Sequence, residues 1–157
     1  MRVSDLEKSA IQVLTEETGA TDVKAYPVDD ELILADDDRR ARVHIHYTYP
    51  QWVMARVGRG SSTRKRLGLD SIRAAVRRAK RIDEALAEAA ALIREDGRFS
   101  LVDGSFVNSI LLSRSDDPSS DYFRVWITFY GSSLVVTNRV PWDGPMVEEV
   151  KRILRGR

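Results

Sequence analysis

Two stretches of this 157-residue chain carry side chains suited to holding a ligand rather than to packing or solvation. In the run from Tyr122 to Tyr130, a two-residue period separates two unlike faces. Phe123, Val125, Ile127 and Phe129 make one face wholly apolar. Tyr122, Arg124, Trp126, Thr128 and Tyr130 make the other, with three aromatic rings, a guanidinium and a hydroxyl. Rings with polar edges beside Arg are what a protein needs to stack unpaired bases and hold the phosphates between them. Cover by protein is the competing explanation, since Tyr and Trp are also favoured at buried interfaces. The run from Trp52 to Val57 repeats the pattern, with Trp52, Met54 and Arg56 opposite Val53, Ala55 and Val57.

Charge points the same way. From Arg56 to Arg81 the chain holds ten basic residues and one acid, Asp70, within a protein of net charge +1. Like charges crowded into one segment repel, so a partner of opposite sign explains them, either a polyanion or acidic neighbours in the fold. Arg64, Lys65, Arg66, Arg73 and Arg77 are the candidate phosphate contacts in this segment. Val57 to Arg66 reads as a flexible basic loop, without the Gly-x4-Gly-Lys-Ser/Thr spacing of an NTPase.

Catalysis finds less support. His44 and His46 lie two apart on a strand and project from one face; with Asp36, Asp37 or Asp38 they would make a metal site, but no further spacing motif joins them. A metal-dependent nuclease needs clustered carboxylates on adjoining strands, whereas these acids fall in turns and on helix surfaces, with Asp103 alone close to a strand end. No Gly-x-Ser-x-Gly elbow or set of nucleophile, base and orienter is present. The expectation is a binding protein with no catalytic residues, metal or cofactor.

The elements that must position these residues read as follows. Ser4-Asp5-Leu6-Glu7 is a capping box opening a helix to about Thr18, with Leu6, Ala10, Val13 and Leu14 on one side and Gly19 as its stop. Strands follow at Val23 to Val28 and Glu31 to Ala35 around an Asp29-Asp30 turn, then Arg42 to Tyr49, broken by Pro50, and Trp52 to Val57. Asp70 or Ser71 caps a long helix to about Asp96, striped by Ile72, Val76, Ala79, Ile82, Leu86, Ala90 and Ile93. Its first half is basic, which opposes the helix dipole. Four more strands follow, Arg98 to Val102, Phe106 to Ser113, Tyr122 to Tyr130 and Leu134 to Arg139. Gly144-Pro145 then opens a short C-terminal helix on which Met146, Val150, Ile153 and Leu154 share a face. The expected fold is α+β, with antiparallel sheet and helices on one side, in a single nucleic-acid-binding domain spanning 1-157.

Composition sets the outer bounds. Apolar residues at 43% and charged residues at 31% suit a globular protein, and no apolar run approaches the roughly 20 residues of a membrane span. Cysteine is absent, which removes disulfides and thiolate chemistry. The start of the chain lacks an apolar signal region, so a cytoplasmic protein is expected. Twenty Arg against five Lys, with few amides, fits a heat-adapted source or a GC-rich genome.

Together the Tyr122 to Tyr130 strand, Trp52-Val53-Met54-Ala55-Arg56, the basic Arg64 to Arg81 segment, the size and the Arg-rich composition resemble the ThermoDBP-related family of archaeal single-stranded-DNA-binding proteins. The resemblance is one of character and carries no site residue across. It implies single-stranded DNA held in a cleft lined by apolar and aromatic side chains, in a fold unlike the OB barrel. No coiled coil like that of some members is expected within these residues, since no sustained heptads lead to Arg157. The reading is sequence-tolerant single-stranded nucleic-acid binding, with DNA favoured by the resemblance. Trp52, Tyr122, Trp126 and Tyr130 would stack bases. The alternatives are an RNA-binding protein, or an assembly module whose aromatic strand face joins subunits of a homo-oligomer.

Overall fold

The computed structural model describes residues 2–68, 70–96, 99–101, 108–114, 123–130 and 133–138. The chain divides into two compact units, Met1–Arg81 and Ile82–Arg157, and the boundary falls inside the long helix.

The first unit opens with α1, Val3–Thr18, whose Leu6, Ala10, Val13 and Leu14 are buried as their spacing predicts. Its start differs from the expected capping box. The amides of Asp5 and Leu6 both donate to the Arg2 carbonyl, at 3.0 and 3.1 Å, so Ser4 already lies inside the first turn, and no side chain caps the helix. At the other end Gly19 takes φ 70°, a left-handed conformation open to glycine without a Cβ penalty, and its amide closes on the Thr15 carbonyl.

Six antiparallel strands follow: β1 Lys24–Val28, β2 Glu31–Ala35, β3 Ala41–His46, β4 Trp52–Val57, β5 Gly60–Ser61 and β6 Lys65–Arg66. The order is β1-β2-β3-β4-β5, with β6 pairing β4 beyond β5. Two sequence readings change here. β3 stops at His46 rather than Tyr49, because the chain turns away: the Tyr47 amide donates to Asp30 O, its hydroxyl donates to Asp29 O at 2.9 Å, and Tyr49 is 95% exposed. The Val57 to Arg66 stretch is also not a free connector. Gly58, at φ 55°, reverses the chain so that β5 and then β6 pair along the outer edge of β4. Between them Ser62 is buried, and its hydroxyl accepts from the Ala55 amide while its own amide donates to the Ala55 carbonyl, both at 2.9 Å. The amide and carbonyl of Ala55 on that edge are thereby both met.

α2, Ser71–Asp96, starts after Asp70, whose carbonyl accepts from Ala74 at 2.9 Å. Leu32, Leu34, Val43, Ile45, Val53 and Ala55 project from one face of the sheet and pack with the apolar stripe of α1 and with Ile72, Ala75, Val76 and Ala79 of α2. Both helices of the unit therefore lie on the same face of the sheet. Further along α2, Ile82, Ala85 and Leu86 are also buried.

The second unit holds a second antiparallel sheet in the order β10-β9-β8-β7, formed by β7 Phe99–Leu101, β8 Ser109–Arg114, β9 Phe123–Tyr130 and β10 Ser133–Asn138. The expected C-terminal helix lies outside the described residues. The expectation of helices with antiparallel sheet is met, with six strands in place of about four before the long helix. Among the described residues no helix is long and apolar enough to cross a membrane.

Ile45 is fully buried at the centre of this layer, so Ile45→Ala removes both transfer energy and packing and is expected to cost about 2–5 kcal/mol. Denaturant unfolding measures this, and an unchanged midpoint would contradict the burial described.

Candidate nucleic-acid interface

With α1 and α2 on one face, period-two alternation sends the remaining side chains to the other. Strand register arranges them in three rows. One row runs Val28, Glu31, His46, Trp52, Arg66; the next Tyr26, Ile33, His44, Met54; the third Lys24, Ala35, Arg42, Arg56, Ser61. These rows contain rings, soft apolar groups and cations, with Glu31 as their one acid.

Trp52 is the best-organised residue of the face. His46, directly across on β3, stacks on it with ring centroids 5.5 Å apart and planes within 4°. The Arg64 guanidinium lies over the same indole, 4.4 Å from its centroid. His46 and Arg64 approach from opposite sides of β4, because β3 and β6 flank it at Trp52. His46 is itself oriented by a 3.0 Å contact between Nδ1 and the Pro50 carbonyl. A carbonyl can only accept, so Nδ1 donates and Nε2 is left for another partner. Arg56, two strand positions from Met54, donates from Nε to Gly58 O at 3.4 Å.

The structure therefore brings Trp52, Met54, Arg56, Arg64 and Arg66 to one face. Lys65 sits opposite Val53 in the register, which belongs to the helix-covered face. Arg73 and Arg77 lie elsewhere, in the helix layer. Arg73 donates to Glu16 at 2.6 Å and to Glu17 at 2.7 Å, and Arg77 to Glu17 at 2.8 Å. Hydrogen bonding from Arg73 holds the Glu17 carboxyl below its ordinary range; Glu16 is lowered first by Gln12 and then by Arg73. This resolves the charge order of α2. Acids in the last turn of α1 and cations in the first turns of α2 each oppose their own helix dipole, and pairing across the two helices offsets both.

On β9, Arg124 pairs in register with Leu111, Trp126 with Ser109 and Thr137, and Tyr130 with Ser133. Trp52 and Trp126 thus belong to different sheets. Tyr122 lies outside the described residues. The His44, His46 and acidic-turn grouping weighed for a metal does not converge: His46 is committed to the Trp52 stack, and Asp36 Oδ1 accepts the Ala41 amide at 3.4 Å. Among the described residues no group of three potential ligands is assembled.

Sequence reasoning had singled out the β4 residues of this face. It missed Arg42, Tyr26 and Lys24, and it did not join His46 to Trp52. Alternation on β3 had placed His44 and His46 together, and Arg42 lies two positions earlier on the same side. Their alignment with β4 depends on the turn at 47–51, which periodicity does not specify.

His44 is half-buried, and burial pushes its imidazole below the ordinary histidine range, with Arg42 adding to the effect and Glu31 opposing it. The unfolded chain then takes up this proton at higher pH than the folded one, so stability falls as pH drops below about 6.5. The loss of Tm between pH 7.5 and pH 5.5 is expected to shrink in His44→Gln; an equal loss in both proteins would contradict this placement.

Compared with protein-family models, curated proteins and solved structures, the chain matches none.

Proposed function

We propose that this protein binds single-stranded nucleic acid without sequence preference, across the face of its first sheet opposite α1 and α2. The carrying observation is the His46, Trp52 and Arg64 stack, set among Arg56, Arg66 and Met54. The relative strengths of two contacts support the reading. An exposed cation such as Arg64 over an indole contributes about 0.5–1 kcal/mol, whereas a base on an aromatic ring contributes about 1–3 kcal/mol. A base can therefore take the place of Arg64 on Trp52, and the released guanidinium turns to the adjoining phosphate. His46 keeps the indole fixed throughout, so little side-chain freedom is lost on binding. Preference for DNA follows from the family resemblance alone. Trp126 and Tyr130 on β9 are proposed as further stacking residues, and Trp126→Ala reports their share.

The test is binding of labelled single-stranded DNA, duplex DNA and RNA to the full chain at two salt concentrations. Single strands are expected to bind more tightly than duplex, with affinity falling as salt rises. Trp52→Ala is expected to lose about 1–3 kcal/mol. Arg56→Ala and Arg66→Ala should each lower the salt slope by about one. Arg73→Ala should reduce thermal stability while leaving that slope unchanged, because its partners are Glu16 and Glu17. Absence of binding at low salt, or wild-type affinity in Trp52→Ala, would overturn the proposal. Dissociation of an oligomer by Trp52→Ala with no nucleic-acid binding would favour a subunit interface instead.

A further inference from the structure

At the far side of the same sheet face lies a recess of about 200 Å³ lined by Tyr26, Ile33, Ala35, Arg39, Arg42 and His44. Strands β1, β2 and β3 and the β2–β3 turn line it, so it centres on β2 while Trp52 lies on β4. At about 4.8 Å per strand, the centre of the recess is roughly 10 Å from Trp52 across the sheet.

Its chemistry is unlike that of a gap in packing. Tyr26 offers a ring that is 43% exposed, over a floor of Ile33 and Ala35. Arg42 brings a guanidinium whose Nε is buried with no hydrogen-bond partner. A buried guanidinium N–H without an acceptor is costly, and the terminal nitrogens of a guanidinium can grip an oxyanion as a pair. Arg39 adds a second guanidinium from the β2–β3 turn, where it takes φ 55°. Asp36, in the same turn, already spends one carboxylate oxygen on the Ala41 amide. His44, whose charged form burial disfavours, presents one donor and one acceptor when neutral. The size is below the roughly 300–1,000 Å³ of pockets for drug-sized ligands, which suits one nucleotide unit rather than a whole cofactor.

A larger cavity of about 300 Å³ between α1 and the start of α2 has weaker claims. Its one cation, Arg73, is already met by Glu16 and Glu17.

We infer that the recess is a nucleotide subsite: Arg42 and Arg39 hold a phosphate, and the attached base lies against Tyr26 with its edge toward His44. The inference rests on the single-strand reading for its place in a longer site, since only linked nucleotides reach from here to Trp52. The subsite itself is a separate claim about mononucleotide recognition.

Two probes keep the claims apart. The first is thymidine 5′-monophosphate, with thymidine and inorganic phosphate as controls, titrated into isotope-labelled full chain by NMR. The monophosphate is expected to shift the Tyr26, Ile33, Arg42 and His44 amides more than either control does, in wild type and equally in Trp52→Ala. Arg42→Met, which keeps much of the aliphatic stem, should abolish those shifts. The second probe is oligo(dT), whose affinity should fall about tenfold in Arg42→Met and in Tyr26→Ala, both checked for wild-type folding by circular dichroism. If oligo(dT) binds both variants as tightly as wild type, the subsite is overturned and the single-strand reading stands. If oligo(dT) binds nothing while the monophosphate still shifts the recess, the single-strand reading falls and the subsite stands. Shifts equally large with inorganic phosphate alone would reduce the recess to an anion site and overturn the base contact.

Discussion

The first unit depends on one packing constraint: Leu32, Leu34, Val43, Ile45, Val53 and Ala55 must all face α1 and the first turns of α2. Fully burying a large aliphatic side chain contributes about 1.5–3 kcal/mol, so several on adjacent strands fix the register jointly. A slip of one residue would carry the whole set to the other face. The same parity that buries Val53 and Ala55 therefore forces Trp52, Met54 and Arg56 outward. The candidate interface and the core are two consequences of one register, and neither can be changed without the other.

Charge is divided along the same line. The basic segment enters the fold as a single run in sequence, but the sheet and the helix layer separate its members. Arg73 and Arg77 meet Glu16 and Glu17 and serve the joint between two helices. Arg56, Arg64 and Arg66 go to the other side, where Trp52 and Met54 are their neighbours. Surface pairs such as Arg77 with Glu17 add little stability on their own, but they neutralise two cations on the helix side of the sheet. The resulting face presents positive charge beside a ring held by His46.

Much of this was legible in the chain, for physical reasons that also mark where legibility ends. Side-chain period reports local geometry, so the stripe of α1, the alternation of β3 and β4 and the glycine stop at Gly19 were all readable. Hydrogen bonding over distance is not local. The partners of Arg73 lie 56 and 57 residues away, and nothing near Arg73 announces them. The pairing of β5 and β6 with β4 escaped notice because Gly, Ser and Arg read as loop, while Ser62 supplies a buried hydroxyl that composition cannot reveal. The Ser4 to Glu7 box failed for a smaller reason, a helix that begins one residue before its apparent cap. The likeness of the Trp52 and Trp126 stretches was real as pattern, yet pattern does not say which sheet a strand joins, and they join different ones.

The central claim is that the face of the first sheet opposite α1 and α2, rather than the helix layer, meets the nucleic acid. Amide NMR of the full labelled chain during titration with a single-stranded oligonucleotide addresses it directly. The account expects the largest shifts along β3, β4 and β6, at Arg42, His46, Trp52, Met54 and Arg66, with α1 from Leu6 to Leu14 unmoved. Shifts confined to α1 and the Arg73 turn of α2, with β3 and β4 silent, would contradict it.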